Sequence, residues 1–185
     1  IHMILNKGKA IGIMIDMQDK LVPAIAHREQ LATSCKLILE GLKILNVPVI
    51  ATQQYTKGLG DTLPELKEFT EGKYIEKITF SSWREQSFRM AVRETKATQI
   101  MIFGVETHIC VEQTVLDMLG AGLEVYLISD CVGSRFDTDK ETAIRRMEKA
   151  GAIVTTSEAA LFELTEQGGT DAFKAISRLV KSREF

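Results

Sequence analysis

Residues 10–16 read AIGIMID, an apolar run that ends directly in a carboxylate. A continuous apolar run predicts a strand that is buried on both faces, as in parallel sheets covered by helices. Packing alone explains poorly why Asp16 follows such a strand. A role in an active site is one interpretation of this carboxylate, and a turn or helix N-cap residue is the other.

Outward from this strand, apolar runs alternate with amphipathic stretches. We predict strands over residues 10–15, 47–52, 74–78, 99–103, 124–129 and 152–155. We predict helices over residues 28–45, 84–96, 109–119, 139–150, 157–164 and 171–181. Residues 53–72 show little periodicity and predict an active-site loop with a short helical turn. The alternation predicts an α/β fold, a three-layer α/β/α sandwich with a doubly wound, Rossmann-like, six-stranded parallel sheet.

The chain of 185 residues contains no linker, internal repeat or low-complexity tract. This predicts a single domain over residues 3–185, with Ile1 and His2 interpreted as a cloning remnant before a native start at Met3. The formal net charge of -2 disfavours nucleic acid and anionic membranes as partners. No apolar run approaches the ~20 residues that span a bilayer.

Cofactor and compartment follow from what the sequence contains. The three cysteines, Cys35, Cys110 and Cys131, include no C-x-x-C pair, which predicts a reducing, cytoplasmic location without disulfides. Three histidines, one of them in the cloning remnant, leave little material for a metal site, so we predict no metal. The glycines at positions 58 and 60 fit neither of the phosphate-binding motifs G-x-x-x-x-G-K-[ST] and G-x-G-x-x-G, and we predict no nucleotide cofactor.

The chemistry is expected at the carboxyl ends of the strands, where ligands bind in such sheets. Asp16 ends the first predicted strand, Lys77 closes the third, and Cys110 follows the fourth. A cysteine at the start of a helix, close to an ammonium, has a lowered thiol pKa. A carboxylate could then take the thiol proton and pass it to a leaving amine. The alternative interpretations are a buried hydrophobic cysteine and a solvated surface lysine.

Three separated segments carry a family resemblance: IGIMIDMQ at 11–18, EKITFSSW at 76–83 and FGVETHICVEQTVLDML at 103–119. The chain resembles the isochorismatase-like cysteine hydrolases, which include nicotinamidases and N-carbamoylsarcosine amidases. The stretches TQQYTKGLGDTLPEL at 52–66 and SDCVGSR at 129–135 are similar to the isochorismatase domain-containing subgroup in particular.

The resemblance implies a catalytic triad of Asp16, Lys77 and Cys110. It also implies a cis peptide at Val105–Glu106 and, by analogy, an oxyanion hole formed by the backbone N–H groups of Glu106 and Cys110. A homo-oligomer, a dimer or larger, is a further implication. The implied activity is cofactor-independent hydrolysis of a small amide or ureide through a thioester.

Two departures from the family narrow this function. The loop after the second strand, residues 51–55 (ATQQY), lacks the histidines of metal-binding nicotinamidases. True isochorismatases hydrolyse a vinyl ether without a cysteine, so the presence of Cys110 favours a carbon–nitrogen or acyl bond over isochorismate. A catalytically weak binding or scaffold protein with the same fold is the other alternative.

Secondary positions carry weaker predictions. A possible substrate pocket comprises Gln18, Tyr55, Phe80, Trp83 and Thr107, the aromatic residues being equally compatible with core or subunit contacts. His108 is interpreted as a turn or interface residue, and Arg135 as a member of an ion pair between loops. Cys35 is assigned to the core, and Cys131 to a structural role.

Overall fold

A parallel sheet organises the chain, and the computed structural model describes residues 3–184. The predicted cloning remnant at positions 1 and 2 therefore lies outside the described residues. The strands are β1 (Ala10–Ile15), β2 (Val49–Gln54), β3 (Ile75–Lys77), β4 (Gln99–Val105), β5 (Glu124–Gly133) and β6 (Ile153–Thr155). Their order is β3-β2-β1-β4-β5-β6, and every pairing is parallel. This confirms the predicted doubly wound α/β fold.

Helices flank the sheet in two groups. They are α1 (Arg28–Ile44), α2 (Thr56–Leu59), α3 (Pro64–Lys67), α4 (Gln86–Glu94), α5 (Glu112–Gly120), α6 (Asp137–Ala150), α7 (Ser157–Thr165) and α8 (Asp171–Lys181). α1 packs with α7 and α8, whereas α5 packs with α6. Within the described part of the chain, no helix is both long and apolar enough to cross a membrane.

The strands β1 and β4 form the centre of the core. Every residue of both strands is buried, and most of these side chains are apolar, because helices cover both faces of the sheet. From β1 the chain winds outward to β2 and β3, and from β4 it winds to β5 and β6. The sheet therefore reverses its winding direction between β1 and β4, and ligands in such folds bind beyond the carboxyl ends at this point.

Three strands, β2, β4 and β5, run further than predicted, and β2 ends at Gln54 instead of Thr52. β4 continues through Gly104 to Val105, although the glycine was expected to end it. β5 continues to Gly133 instead of ending at Ser129, because Val132 and Gly133 pair with Gly104 and Val105 of β4 after a register shift.

The region predicted as one active-site loop, residues 53–72, is more regular than expected. Its first two residues belong to β2, and α2, α3 and a short 3-10 turn at Glu68–Thr70 follow. The predicted helix at 84–96 is shorter, since a 3-10 turn at Ser82–Arg84 precedes α4. Elements of three or four residues are too short to show hydrophobic periodicity in the sequence.

Gly104 is required where β4 passes β1. Its φ is +117°, and a Cβ atom at this position would lie 2.1 Å from the carbonyl oxygen of Ile15. A side chain here would push apart the two strands whose ends carry Asp16 and the turn after β4. Glycine is therefore needed for both its conformation and its lack of a side chain.

We predict that Gly104→Ala lowers the free energy of unfolding by at least about 2 kcal/mol, because it combines an unfavourable φ with a backbone clash. Gly120→Ala is the matched control. Gly120 lies at the end of α5 with no atom within 4 Å of a built Cβ, so alanine should be neutral or slightly stabilising there. Urea denaturation followed by circular dichroism measures both, and equal stability of the two variants would contradict the argument.

Candidate active site

Three polar side chains from three strand ends meet at the carboxyl edge of the sheet. Asp16 directly follows β1, Lys77 is the last residue of β3, and Cys110 lies in the turn after β4. Lys77 Nζ lies 2.9 Å from Asp16 Oδ2 and 3.4 Å from Cys110 Sγ. The ammonium thus contacts both the carboxylate and the sulfur.

Lys77 is held by neutral acceptors as well as by Asp16. Its Nζ donates to the carbonyl oxygens of Thr79 and Phe80, each at 3.1 Å, and to Oε1 of Gln54. The side chains of Lys77 and Asp16 are both fully buried. A buried ammonium needs such a set of acceptors, because it has lost its hydration shell.

Asp16 has one oxygen occupied and one available. Its Oδ1 accepts a hydrogen bond from the hydroxyl of Thr52 at 2.8 Å. Among the described residues, no donor is aligned on Oδ2 for a hydrogen bond, although Lys77 Nζ is close to it. Asp16 adopts a positive φ of 48°, which aspartate tolerates better than most residues. Oδ2 is therefore the oxygen that can receive a proton.

The sequence predicted that Cys110 lies at the start of a regular helix, but the structure places it elsewhere. It belongs to a π-helical turn, Thr107–Val111, and α5 begins only at Glu112. Such wide turns are frequent at functional sites. The carbonyl of Cys110 accepts a hydrogen bond from the Thr114 hydroxyl at 2.6 Å, and the same hydroxyl accepts one from the N–H of Ser82. Thr114 thus ties the turn after β4 to the loop after β3.

The peptide bond between Val105 and Glu106 is cis, in the position that the resemblance implied. The N–H of Glu106 donates to no acceptor among the described residues. The Glu106 carboxylate accepts from the backbone N–H of Arg135 at 3.1 Å and from its Nε at 2.9 Å.

The surroundings of the sulfur disfavour the thiolate that the sequence predicted. Burial raises the pKa of the Cys110 thiol to about 12, and the negative charge of Asp16 raises it further than Lys77 lowers it. The ammonium is largely neutralised by its ion pair, so it cannot stabilise the sulfur anion as a lone cation would. Burial and the neighbouring carboxylate thus favour the neutral thiol of Cys110.

Protein encloses the three side chains almost completely. The exposed fractions are 0% for Asp16, 2% for Lys77 and 7% for Cys110. A cavity of about 730 Å³, lined by residues that include Leu5 and Gln99, lies at the opposite, amino-terminal edge of the sheet. The chemistry-bearing residues are therefore not in that cavity, and Cys110 is the most exposed of the three.

The predicted pocket residues divide into two groups. Tyr55 and Phe80 are half exposed at the carboxyl edge, and the Phe80 carbonyl contacts Lys77. Thr107 is fully buried one residue from the cis peptide, and its hydroxyl has no hydrogen-bond partner in the described structure. Phe80 thus reaches the site through its carbonyl contact with Lys77, and Thr107 shares the π-helical turn of Cys110.

Gln18 and Trp83 are used by the protein itself. The Gln18 amide accepts from the N–H of Gln54 and donates to the carbonyls of Gln54 and Gly60, so it joins loops rather than facing a substrate. Trp83 packs edge-to-face on Phe88 with ring centroids 6.4 Å apart, against the core.

Other polar positions are engaged in structural contacts. His108 Nδ1 lies 2.9 Å from the Ser134 hydroxyl, and Arg135 forms the expected ion pair between loops. Cys35 donates to the carbonyl of Cys131 at 3.4 Å, and both cysteines are fully buried. Within residues 3–184, no cluster of at least three His, Cys, Asp or Glu side chains could hold a metal ion.

Sequence reasoning missed Thr52, Gln54 and Thr114, which hold Asp16, Lys77 and Cys110 respectively. A signal for the first two exists, since both are polar residues at the carboxyl end of an apolar strand. Because alternate residues of a strand share one face, a threonine and a glutamine two positions apart could have been assigned to the same site.

Comparison with known proteins gives a consistent result. Residues 10–159 match the model of the isochorismatase domain. Isochorismatase domain-containing protein 1 of Danio rerio is 34% identical over 178 residues, which cover 96% of this chain and 62% of the relative. The chain thus spans less than two thirds of that relative's length.

Two solved structures are also similar. MAR1 ribonuclease from Caenorhabditis elegans is 34% identical with a TM-score of 0.90, covering 96% of this chain and 92% of that chain. The YcaC gene product from Escherichia coli, described as an octameric hydrolase of unknown specificity, is 26% identical with a TM-score of 0.92, covering 97% and 90%.

We predict that iodoacetamide alkylates Cys110 slowly at neutral pH, because the raised pKa keeps the thiol protonated. The rate should increase about tenfold per pH unit up to at least pH 10, since only the thiolate reacts. Mass spectrometry locates the adduct, and Cys110→Ser gives the background from the two buried cysteines. A rate that levels off below pH 9 would instead indicate a stabilised thiolate.

Proposed function

The chain belongs to the isochorismatase family, and on this premise we propose that it is a cysteine hydrolase that cleaves a carbon–nitrogen bond of a small amide or ureide. Cys110 is the nucleophile, Asp16 the general acid and base, and Lys77 the electrostatic partner of both. The observation that carries this proposal is the contact of one ammonium with a carboxylate at 2.9 Å and a sulfur at 3.4 Å.

Acylation begins when the substrate carbonyl reaches Sγ. Asp16 Oδ2 takes the thiol proton while the sulfur electron pair attacks the carbonyl carbon, and the carbonyl π electrons move to oxygen. When the oxyanion collapses, the carbon–nitrogen bond breaks and Asp16 returns the proton to the leaving nitrogen. The products of this half-reaction are an amine and a thioester on Cys110.

Deacylation repeats these steps with water. Asp16 takes a proton from the water as its oxygen attacks the thioester carbon. The carbon–sulfur bond then breaks, the acid leaves, and the proton returns to sulfur. The sequence of steps uses no metal and no organic cofactor, in keeping with the sequence-based prediction.

The neutral resting thiol fits this mechanism better than a preformed thiolate. A thiol with a pKa of about 12 needs a base at the moment of attack, and Asp16 Oδ2, whose one close charged neighbour among the described residues is the Lys77 ammonium, is placed to take the proton. As the proton moves to Asp16, the ammonium is released from its ion pair and attracts the developing charge on sulfur.

The turn after β4 supplies the oxyanion hole in this proposal. The backbone N–H groups of Glu106 and Cys110 are the donors, and the former is not engaged elsewhere in the described structure. Removing one such donor typically costs about 3 kcal/mol of transition-state stabilisation. Tyr55, Phe80 and Thr107 border the substrate, and the enclosure of the sulfur restricts it to a small molecule.

Assembly and location belong to the same proposal. We infer a homo-oligomer, supported by the octameric description of the Escherichia coli structure. We infer a cytoplasmic location, supported by the free state of Cys35, Cys110 and Cys131.

RNA cleavage is a second candidate function, favoured by the name of the Caenorhabditis elegans structure. Three observations on this chain weigh against it: a net charge of -2, a nucleophile with 7% exposure, and a neutral ion pair where a polyanion would have to bind. Phosphate contacts in RNA-binding proteins come mainly from exposed basic groups.

The hydrolase proposal predicts that Cys110→Ala removes turnover of any accepted amide by at least about 10³-fold while the thermal unfolding temperature stays within a few degrees, since the side chain forms no bond that the fold needs. The measurement is amine release with matched circular dichroism melts. Full activity in this variant would refute the assignment of the nucleophile.

We predict that Asp16→Asn lowers turnover and raises the alkylation rate of Cys110. Turnover should be lost because the base is gone, whereas alkylation of Cys110 at pH 8 should become about tenfold faster because the charge that raises the thiol pKa is removed. Asn retains an oxygen that can accept from Thr52. If a folded Asp16→Asn variant lost both turnover and the alkylation of Cys110, Asp16 would have a structural role only.

For RNA, we predict no cleavage of a single-stranded oligonucleotide above the level of the Cys110→Ala variant, because nothing in the site neutralises phosphate. Gel electrophoresis of a labelled oligonucleotide at low salt measures it. Cleavage by the unaltered chain that depends on Cys110 and Asp16 would favour the ribonuclease interpretation.

A further inference from the structure

We propose that β2, which contributes no reacting group, sets the distance between Asp16 and Lys77 through two positioning residues, Thr52 and Gln54. The inference rests on the proposed function of these three strand ends. It deepens that function by stating why the ammonium lies between carboxylate and sulfur rather than at the protein surface.

The register of the sheet carries the first step. β2 lies between β1 and β3, with Thr52 paired to Ile15 and Gln54 paired to Lys77. Thr52 and Gln54 are two residues apart and therefore face the same side of the sheet. Gln53 faces the other side, where its amide bonds Thr56 and Thr62 in the following loop.

Each residue fixes one charge. The Thr52 hydroxyl donates to Asp16 Oδ1 at 2.8 Å and so turns Oδ2 towards Lys77. The Gln54 amide accepts from Lys77 Nζ through Oε1 and donates through Nε2 to the carbonyl of Ile78 at 2.7 Å. Gln54 thereby joins the end of β2 to two consecutive residues, the last residue of β3 and the first residue after it.

The side chain at position 54 accepts a hydrogen bond from Lys77 and donates one to the Ile78 carbonyl, and only an uncharged amide can do both. A carboxylate of the same length would be repelled by the Ile78 carbonyl, and an apolar side chain would bond neither group. The Gln54 backbone is itself fixed, since Gln18 bonds both its N–H and its carbonyl. The side chain that holds Lys77 therefore starts from a rigid point.

Charge balance gives the second reason for glutamine. Three charged groups surround the thiol and its lysine: Asp16 directly after β1, Lys77 at the end of β3, and Glu85. Glu85 accepts a hydrogen bond from Thr79 in the loop after β3 and interacts electrostatically with Lys77. A glutamate at position 54 would place a second carboxylate directly on the ammonium. The cation would then be less available to a developing sulfur anion.

The test compares Gln54→Glu with Gln53→Glu, which adds the same charge one residue away on the opposite face. Alkylation of Cys110 by iodoacetamide at pH 9 should be at least about tenfold slower in Gln54→Glu, the ratio for a thiol pKa one unit higher. It should change less than about threefold in Gln53→Glu. An unchanged rate in folded Gln54→Glu, or an equal decrease in both variants, would overturn the proposal.

Gln54→Met keeps the inference falsifiable if the glutamate variant does not fold. Cys110 of Gln54→Met should be alkylated at least about threefold more slowly, since Lys77 is no longer held beside the sulfur. This decrease should vanish in a Lys77→Met background, because Gln54 acts through the lysine. The same decrease without Lys77 overturns the positioning role. Because alkylation needs no substrate, these results stand apart from whether the unaltered chain hydrolyses an amide.

Discussion

The buried ion pair between Asp16 and Lys77 is the constraint on which the rest of this molecule depends. Both side chains are fully inaccessible, and their charged atoms are 2.9 Å apart. Removing one partner of such a pair usually destabilises a protein by about 3–5 kcal/mol, because the other charge is left buried. The two residues are 61 positions apart in the sequence. The strand order β3-β2-β1 brings their strand ends to one edge of the sheet.

The same ion pair defines the chemistry available to Cys110. Burial and the negative charge of Asp16 raise the pKa of the Cys110 thiol to about 12, and the ion-paired ammonium of Lys77 does not offset them. A protonated, almost enclosed thiol is a poor target for oxidants and alkylating agents, since the thiolate is the reactive form. In the mechanism proposed above, nucleophilicity is therefore coupled to the movement of a proton onto Asp16 Oδ2, the oxygen that contacts Lys77.

Rigid elements hold each group of the site. Strand ends carry Asp16 and Lys77, Gly104 allows β4 to pass β1 closely, and Thr114 ties the π-helical turn to the loop after β3. Sites built on strands and locked by neighbouring hydrogen bonds keep reacting groups in a narrow range of geometry. Family membership and this geometry agree, although the chain spans only 62% of one relative's length.

The sequence by itself determined the order of strands and helices, because apolar runs such as residues 10–15 report burial directly. Because strand ends in a doubly wound sheet share an edge, it also made Asp16, Lys77 and Cys110 candidates, and the family resemblance implied their roles as a triad. Only the tertiary structure decided the protonation of Cys110, the turn that carries it, and the roles of Thr52, Gln54 and Gln18. These depend on distances and desolvation between residues remote in the chain, which periodicity does not encode.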